Sequence, residues 1–163
     1  MKELMLFSDG SVNTHSNVGY GAYLAVPERR LSLDSLDLLR LRVKVKRFEN
    51  TSSTKLELQT LLWALNDIQA SGCRVIVYTD SQNIIGLPGR RDRFEQKEYR
   101  SKKNRRLNNY KLYQEFFIIT DQLDCEFVKV RGHQASNQKD DMDRIFTLVD
   151  RASRNALREN PYL

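Results

Sequence analysis

Arg74-Val75-Ile76-Val77-Tyr78-Thr79-Asp80 is an apolar run of strand length that closes on an acid. Leu4-Met5-Leu6-Phe7-Ser8-Asp9 repeats the pattern near the start of the chain. An acid at the carboxyl end of an apolar strand stands where sites of α/β sheets collect. If these two strands are parallel neighbours, Asp9 and Asp80 are about one strand spacing apart, roughly 5 Å. The rest of the fold follows from what lies around them.

Between the two runs, Gly10-Ser11 reads as a turn, and residues 19–26 form a second strand with small residues at its start. Residues 27–37 are a polar connection, and residues 41–46 alternate as a half-exposed third strand. Thr51-Ser52-Ser53-Thr54 supplies helix-capping residues. A helix follows, with Leu58, Leu61, Leu62, Leu65 and Ile68 on one face and an end near Ser71-Gly72. Beyond Asp80 come a basic segment, a helix carrying Leu112, Phe116, Ile119 and Leu123, a strand over 126–131, and a last helix over about 140–158. The order is β-β-β-α-β-α-α-β-α. An antiparallel start gives way to strand–helix–strand units that need parallel pairing and right-handed crossovers. The expectation is an α/β fold: a mixed five-stranded sheet, its first three strands antiparallel and the others parallel, with helices on both faces.

The 163 residues, 40% hydrophobic and 29% charged, suit one globular domain spanning residues 1–163. No apolar run is long enough to cross a bilayer. Lys2 is followed at once by Glu3, and the apolar stretch ends at Ser8, which is not a secretory pattern. A cytoplasmic monomer is expected, with Cys73 and Cys125 reduced. Net charge is +6, and its location matters more than its size. Residues 86–113 hold ten basic and three acidic side chains, a local +7 that leaves −1 for the remaining chain. Cations at that density attract polyanions in a salt-dependent way.

Four acids stand where a water-facing acid is not the default: Asp9, Glu57 between Leu56 and Leu58, Asp80, and Asp150 directly after Val149. Close carboxylates repel, so one must hold a proton or a cation must sit between them. Converging hard oxygen donors suit Mg²⁺ or Mn²⁺, and a two-metal carboxylate cluster can hydrolyse a phosphodiester.

Phe7-Ser8-Asp9-Gly10-Ser11, Leu56-Glu57-Leu58, Tyr78-Thr79-Asp80-Ser81-Gln82, Val130-Arg131-Gly132-His133 and Val149-Asp150-Arg151-Ala152 resemble, in order, the five signatures of type 1 ribonuclease H. The resemblance implies the RNase H-like fold and endonucleolytic cleavage of the RNA strand of RNA–DNA hybrids, leaving 3′-hydroxyl and 5′-phosphate ends. It implies two divalent ions per site with substrate. Asp9 bridges both, Glu57 and Asp80 complete one site, and Asp150 holds the ion that activates water. His133 shuttles protons or helps product leave, a task suited to an imidazole. The interval from His133 to Asp150 is seventeen residues, longer than is common in the family, and Asp143, ten after His133, is the alternative fourth ligand. The two aspartates are about 10 Å apart along a helix, so they cannot serve the same ion.

By the same resemblance, Gly10, Ser11 and Gln82 line the hybrid's minor groove, and Ser52 and Asn109 form a pocket for a DNA-strand phosphate; in the loop Asn13-Thr14-His15-Ser16-Asn17, Asn13 or Asn17 is a candidate to touch substrate. Ser53 and Thr54 stand where the family often has asparagines, and hydroxyls reach less far than amides. Residues 86–109 resemble a substrate-binding protrusion, with Arg90, Arg91, Lys102, Lys103, Arg105 and Arg106 as its cations. It contains no tryptophan; Trp63, the only one, is in the first long helix. Two other functions remain open on sequence: a catalytically silent nucleic-acid-binding module on this fold, and a DNA endonuclease of the wider superfamily.

Overall fold

The computed structural model describes residues 2–68, 72–131 and 140–160. Five strands form one sheet: β1 (Lys2–Asn13), β2 (Val18–Pro27), β3 (Lys44–Phe48), β4 (Cys73–Thr79) and β5 (Asp124–Lys129), in the spatial order β3-β2-β1-β4-β5. The β1–β2 and β2–β3 pairs are antiparallel, and the β1–β4 and β4–β5 pairs are parallel. The five α-helices are α1 (Leu36–Leu41), α2 (Ser53–Asp67), α3 (Gln82–Gln96), α4 (Tyr110–Gln122) and α5 (Asp141–Glu159). No helix among the described residues is long and apolar enough to cross a membrane.

The two-residue period of the central strands divides the core between the sheet's faces. Leu6, Val75 and Val77 pack with Leu58, Leu61 and Phe116, on the side of α2, α3 and α4. Met5, Phe7 and Ile76 pack with Leu39, Ile145, Phe146 and Val149, on the side of α1 and α5. Both central strands therefore carry an uninterrupted apolar run, Leu4–Phe7 in β1 and Val75–Tyr78 in β4, because both of their faces are covered there.

The local elements differ from the sequence reading in three places. Gly10-Ser11 is not a turn: β1 continues through Asn13, with Gly10 opposite Gly21 and Asn13 opposite Val18. The turn is at residues 14–17, where Asn13 Oδ1 accepts the amides of His15 and Ser16 and Asn17 takes a positive φ of 57°. Gly10 serves a close approach instead, since a Cβ there would lie 2.9 Å from Leu56 Cγ. Secondly, the connection after β2 contains α1, capped by Ser35, whose hydroxyl accepts from Leu38 N–H, and anchored by buried Leu39. A helix of six residues is too short for its period to emerge from a leucine-rich run. The third strand accordingly starts at Lys44 rather than at Leu41. Thirdly, α2 closes at Asp67 and β5 begins at Asp124, each a few residues earlier than the sequence places them.

Cys73 and Cys125 are both free, as the sequence reading expects. They do not face one another: Cys125 pairs with Val75, two residues beyond Cys73.

Candidate active site

Strand parity places the first two carboxylates. Phe7 and Tyr78 are register partners on β1 and β4, and their rings stack at 4.8 Å. Asp9 and Asp80 each lie two residues further along, so the alternation that turns Phe7 and Tyr78 toward α5 turns the acids the same way. Asp9 is thus interior to β1, and Asp80 follows the last residue of β4.

On α5, Asp150 follows fully buried Val149 and precedes fully buried Ser153. The Ser153 and Ser11 hydroxyls are 3.0 Å apart, and Ser153 Oγ also donates to the Asp150 carbonyl. These contacts fix α5 against β1 at the level of Asp9. Glu57 arrives from the opposite face on α2, which the absent side chain of Gly10 lets close in. Ser81 Oγ donates to Glu57 Oε2 at 2.6 Å and accepts from Ile84 N–H as the cap of α3. Sequence reasoning passed over Ser81; an Asp-Ser pair between a strand and a helix is the signal that could have found it.

Asp9, Glu57, Asp80 and Asp150 therefore line one pocket, together with Gly10, Ser11, Ser53 and Arg154. Its electrostatics are those of crowded anions. The Asp9 carboxyl is pushed up to about 9, first by burial, then by the charge of Asp80 and by a hydrogen bond to Asp150 and its charge. Burial also raises Glu57, and the charge of Asp80 adds to it against the opposing bond from Ser81. A buried carboxyl raised by neighbouring acids is a site into which a hard dication fits, and every acidic donor here is an oxygen. Among the described residues no three such groups already form a closed ligand set. Glu57 is turned to Ser81.

Asp143 is elsewhere. Its carboxylate accepts the Asp140 amide while Asp140 accepts the Asp143 amide, the reciprocal cap that starts α5. It borders a different hollow, beside Tyr78 and Arg131. His133 lies outside the described residues.

Among the candidate substrate residues, Ser52 caps α2 through its hydroxyl, and Asn109 stands at the N-cap position of α4 without a side-chain capping bond. Ser53 and Thr54 open α2, both exposed, and Asn13 is occupied in its turn. Gln82 accepts from Lys129 Nζ at 2.7 Å. The basic segment divides in two. Its first part is α3, where Leu87 is fully buried, Arg90 donates to Asn83 Oδ1, and Arg91 grips Asp121 with both terminal nitrogens and Glu95 through Nε. Its second part is a small hairpin: Arg100 bridges Arg106, Ser101 N–H donates to the Arg105 carbonyl, and buried Tyr99, at φ 58°, anchors the base. Lys102, Lys103, Arg105 and Arg106 are exposed there.

A family model for RNase H matches residues 1–153. A ribonuclease H of Moorella thermoacetica is 24% identical over 148 residues, covering 89% of this chain and 90% of that protein. One from Syntrophomonas wolfei is 24% identical over 161 residues, covering 97% and 98%. Among solved structures, a type 1 RNase H with the type 2 active-site motif superposes with a TM-score of 0.71 at 18% identity, covering 98% of this chain and 74% of that one.

Proposed function

The chain belongs to the RNase H family, and from that premise we propose that it cuts the RNA strand of RNA–DNA hybrids internally, by a two-metal carboxylate mechanism that leaves 3′-hydroxyl and 5′-phosphate ends. Family members are ribonucleases that act on such hybrids with divalent metal ions. The observation that carries the finer reading is the pocket shared by Asp9, Glu57, Asp80 and Asp150, in which Asp9 is pushed up to about 9.

Those four carboxylates would hold the ions. Bound there, divalent ions supply an activated water and neutralise charge on the departing ribose oxygen. The protein's own part is positional. Asp9, whose proton would pass to solvent, would hold the ions as a carboxylate together with Asp80 and Asp150. Glu57, now bonded to Ser81, would complete the set and lie close to the ribose 2′-hydroxyl. The backbone at Gly10 and Ser11, with Gln82, would read the wide minor groove of the hybrid. Ser52 and Asn109 begin two helices whose N-terminal amides favour a phosphate. His133 is assigned the proton shuttle, and Lys102, Lys103, Arg105 and Arg106 the grip on the duplex backbone.

The test is cleavage of an end-labelled RNA–DNA hybrid with Mg²⁺, Mn²⁺ or EDTA. Internal cuts in the RNA strand with either ion, and none in EDTA, bear the reading out. Binding without cutting would leave a silent module, and cutting confined to duplex DNA would select a DNA endonuclease.

A further inference from the structure

Arg154 stands one turn beyond Asp150 on α5, and among the described residues it is the one basic side chain in the carboxylate pocket. Its Nε lies 3.1 Å from Asp150 Oδ1. The arginine side chain is 45% exposed and that of Asp150 22%, so the cation has room to swing while the acid stays held. A guanidinium cannot shed its charge, so an arriving dication must displace it rather than neutralise it. The displaced guanidinium is still tethered at the rim, where its planar donors match phosphate oxygens.

We propose that Arg154 is the resident counter-cation of this pocket. It holds Asp150 while no divalent ion is bound, yields the carboxylate when one arrives, and then pairs with a phosphate oxygen of the hybrid beside the cut. The inference rests on the two-ion reading above, and two measurements on the full chain separate them. The first is titration of Mn²⁺ alone by calorimetry, without nucleic acid, into the unaltered protein, Arg154→Ala and Arg154→Lys. Removing a cation that competes for Asp150 tightens Mn²⁺ binding by about tenfold in Arg154→Ala, while Arg154→Lys stays near the unaltered protein. Unchanged or weaker binding in Arg154→Ala overturns the counter-cation role, because a merely structural arginine would not oppose the ion. Absence of Mn²⁺ binding in all three proteins also overturns the counter-cation role, whereas absence of metal-dependent cleavage of the hybrid by the unaltered protein sinks the two-ion reading itself.

The second measurement is hybrid affinity against salt, with Ca²⁺ in place of Mg²⁺. Removing one phosphate partner lowers the slope of log K against log salt by about 0.9 in Arg154→Ala, and Arg154→Lys restores it. An unchanged slope in Arg154→Ala overturns the pairing with phosphate.

Discussion

Asp9 on β1 and Asp150 on α5 line the same pocket, and Asp150 is one of the neighbours that push the Asp9 carboxyl up. The fold has brought these acids from opposite ends of the chain, with the charge of Asp80 pressing on Asp9 as well. In the metal-free protein this pocket is a source of instability that grows with ionisation.

Asp9→Asn should therefore stabilise the metal-free protein while abolishing turnover. The folded-state value for Asp9 is raised from 3.8 to about 9. Its favourable protonated interactions are fully present below about pH 4 and are lost as pH rises toward 9. Asparagine mimics the protonated form at every pH. In EDTA, the variant melts at least roughly 3 °C higher near pH 8, a gain of about 1 kcal/mol. The difference shrinks toward zero near pH 4. Thermal scans at several pH values check it, and a lower melting point for the variant near pH 8 would contradict the raised Asp9 value.

Divalent ions should reverse the ranking. A ligand that binds the folded state alone stabilises it, by about 2.7 kcal/mol at a hundred times its Kd. Mn²⁺ raises the melting temperature of the unaltered protein and does so more at pH 8 than at pH 6, since the Asp9 proton must leave first. Asp9→Asn shows little response. The same scans with and without Mn²⁺ are sufficient.

Asp150→Asn and Asp143→Asn should separate into two phenotypes. The first loses turnover by about a hundredfold or more, on the scale of an essential active-site group. The second loosens the start of α5, costs about 1 kcal/mol, and keeps turnover within a few-fold. Paired rate assays and denaturation curves distinguish them.

Ser81→Ala removes the donor to Glu57 and the cap of α3 together. Stability falls by about 1–2 kcal/mol. Turnover falls by about tenfold with KM little changed, as for a group that positions rather than binds. Ser81→Thr keeps the hydroxyl and recovers most of both, which a kcat-against-KM comparison will read.

Cations of the basic segment should not act alike. Neutralising Lys102, Lys103, Arg105 and Arg106 flattens the salt dependence of hybrid binding, by up to about 0.9 in slope for each phosphate left without its cation. Arg91→Ala leaves that slope in place and lowers the melting temperature instead, because Arg91 spends its donors on Asp121 and Glu95 and covers the Phe117 ring. Arg91 reads as a cation in sequence; its partner Asp121 is thirty residues away, beyond what spacing can reveal.

The sequence by itself determined the two central strands, the amphipathic helices that cover them and the acids that end or interrupt them. Those signals are local: a two-residue or 3.6-residue period, and an acid where an apolar run should continue. It also located the excess charge, since charge is countable. Tertiary structure decided how these parts converge. Asp150, and not Asp143, reaches Asp9 because Ser153 locks α5 to Ser11 at that level. Glu57 reaches the pocket because Gly10 has no side chain to hold Leu56 away. The crowding that keeps a proton on Asp9 exists only once β1, β4 and α5 are packed, for electrostatic coupling depends on distance and burial, which no stretch of the chain carries alone.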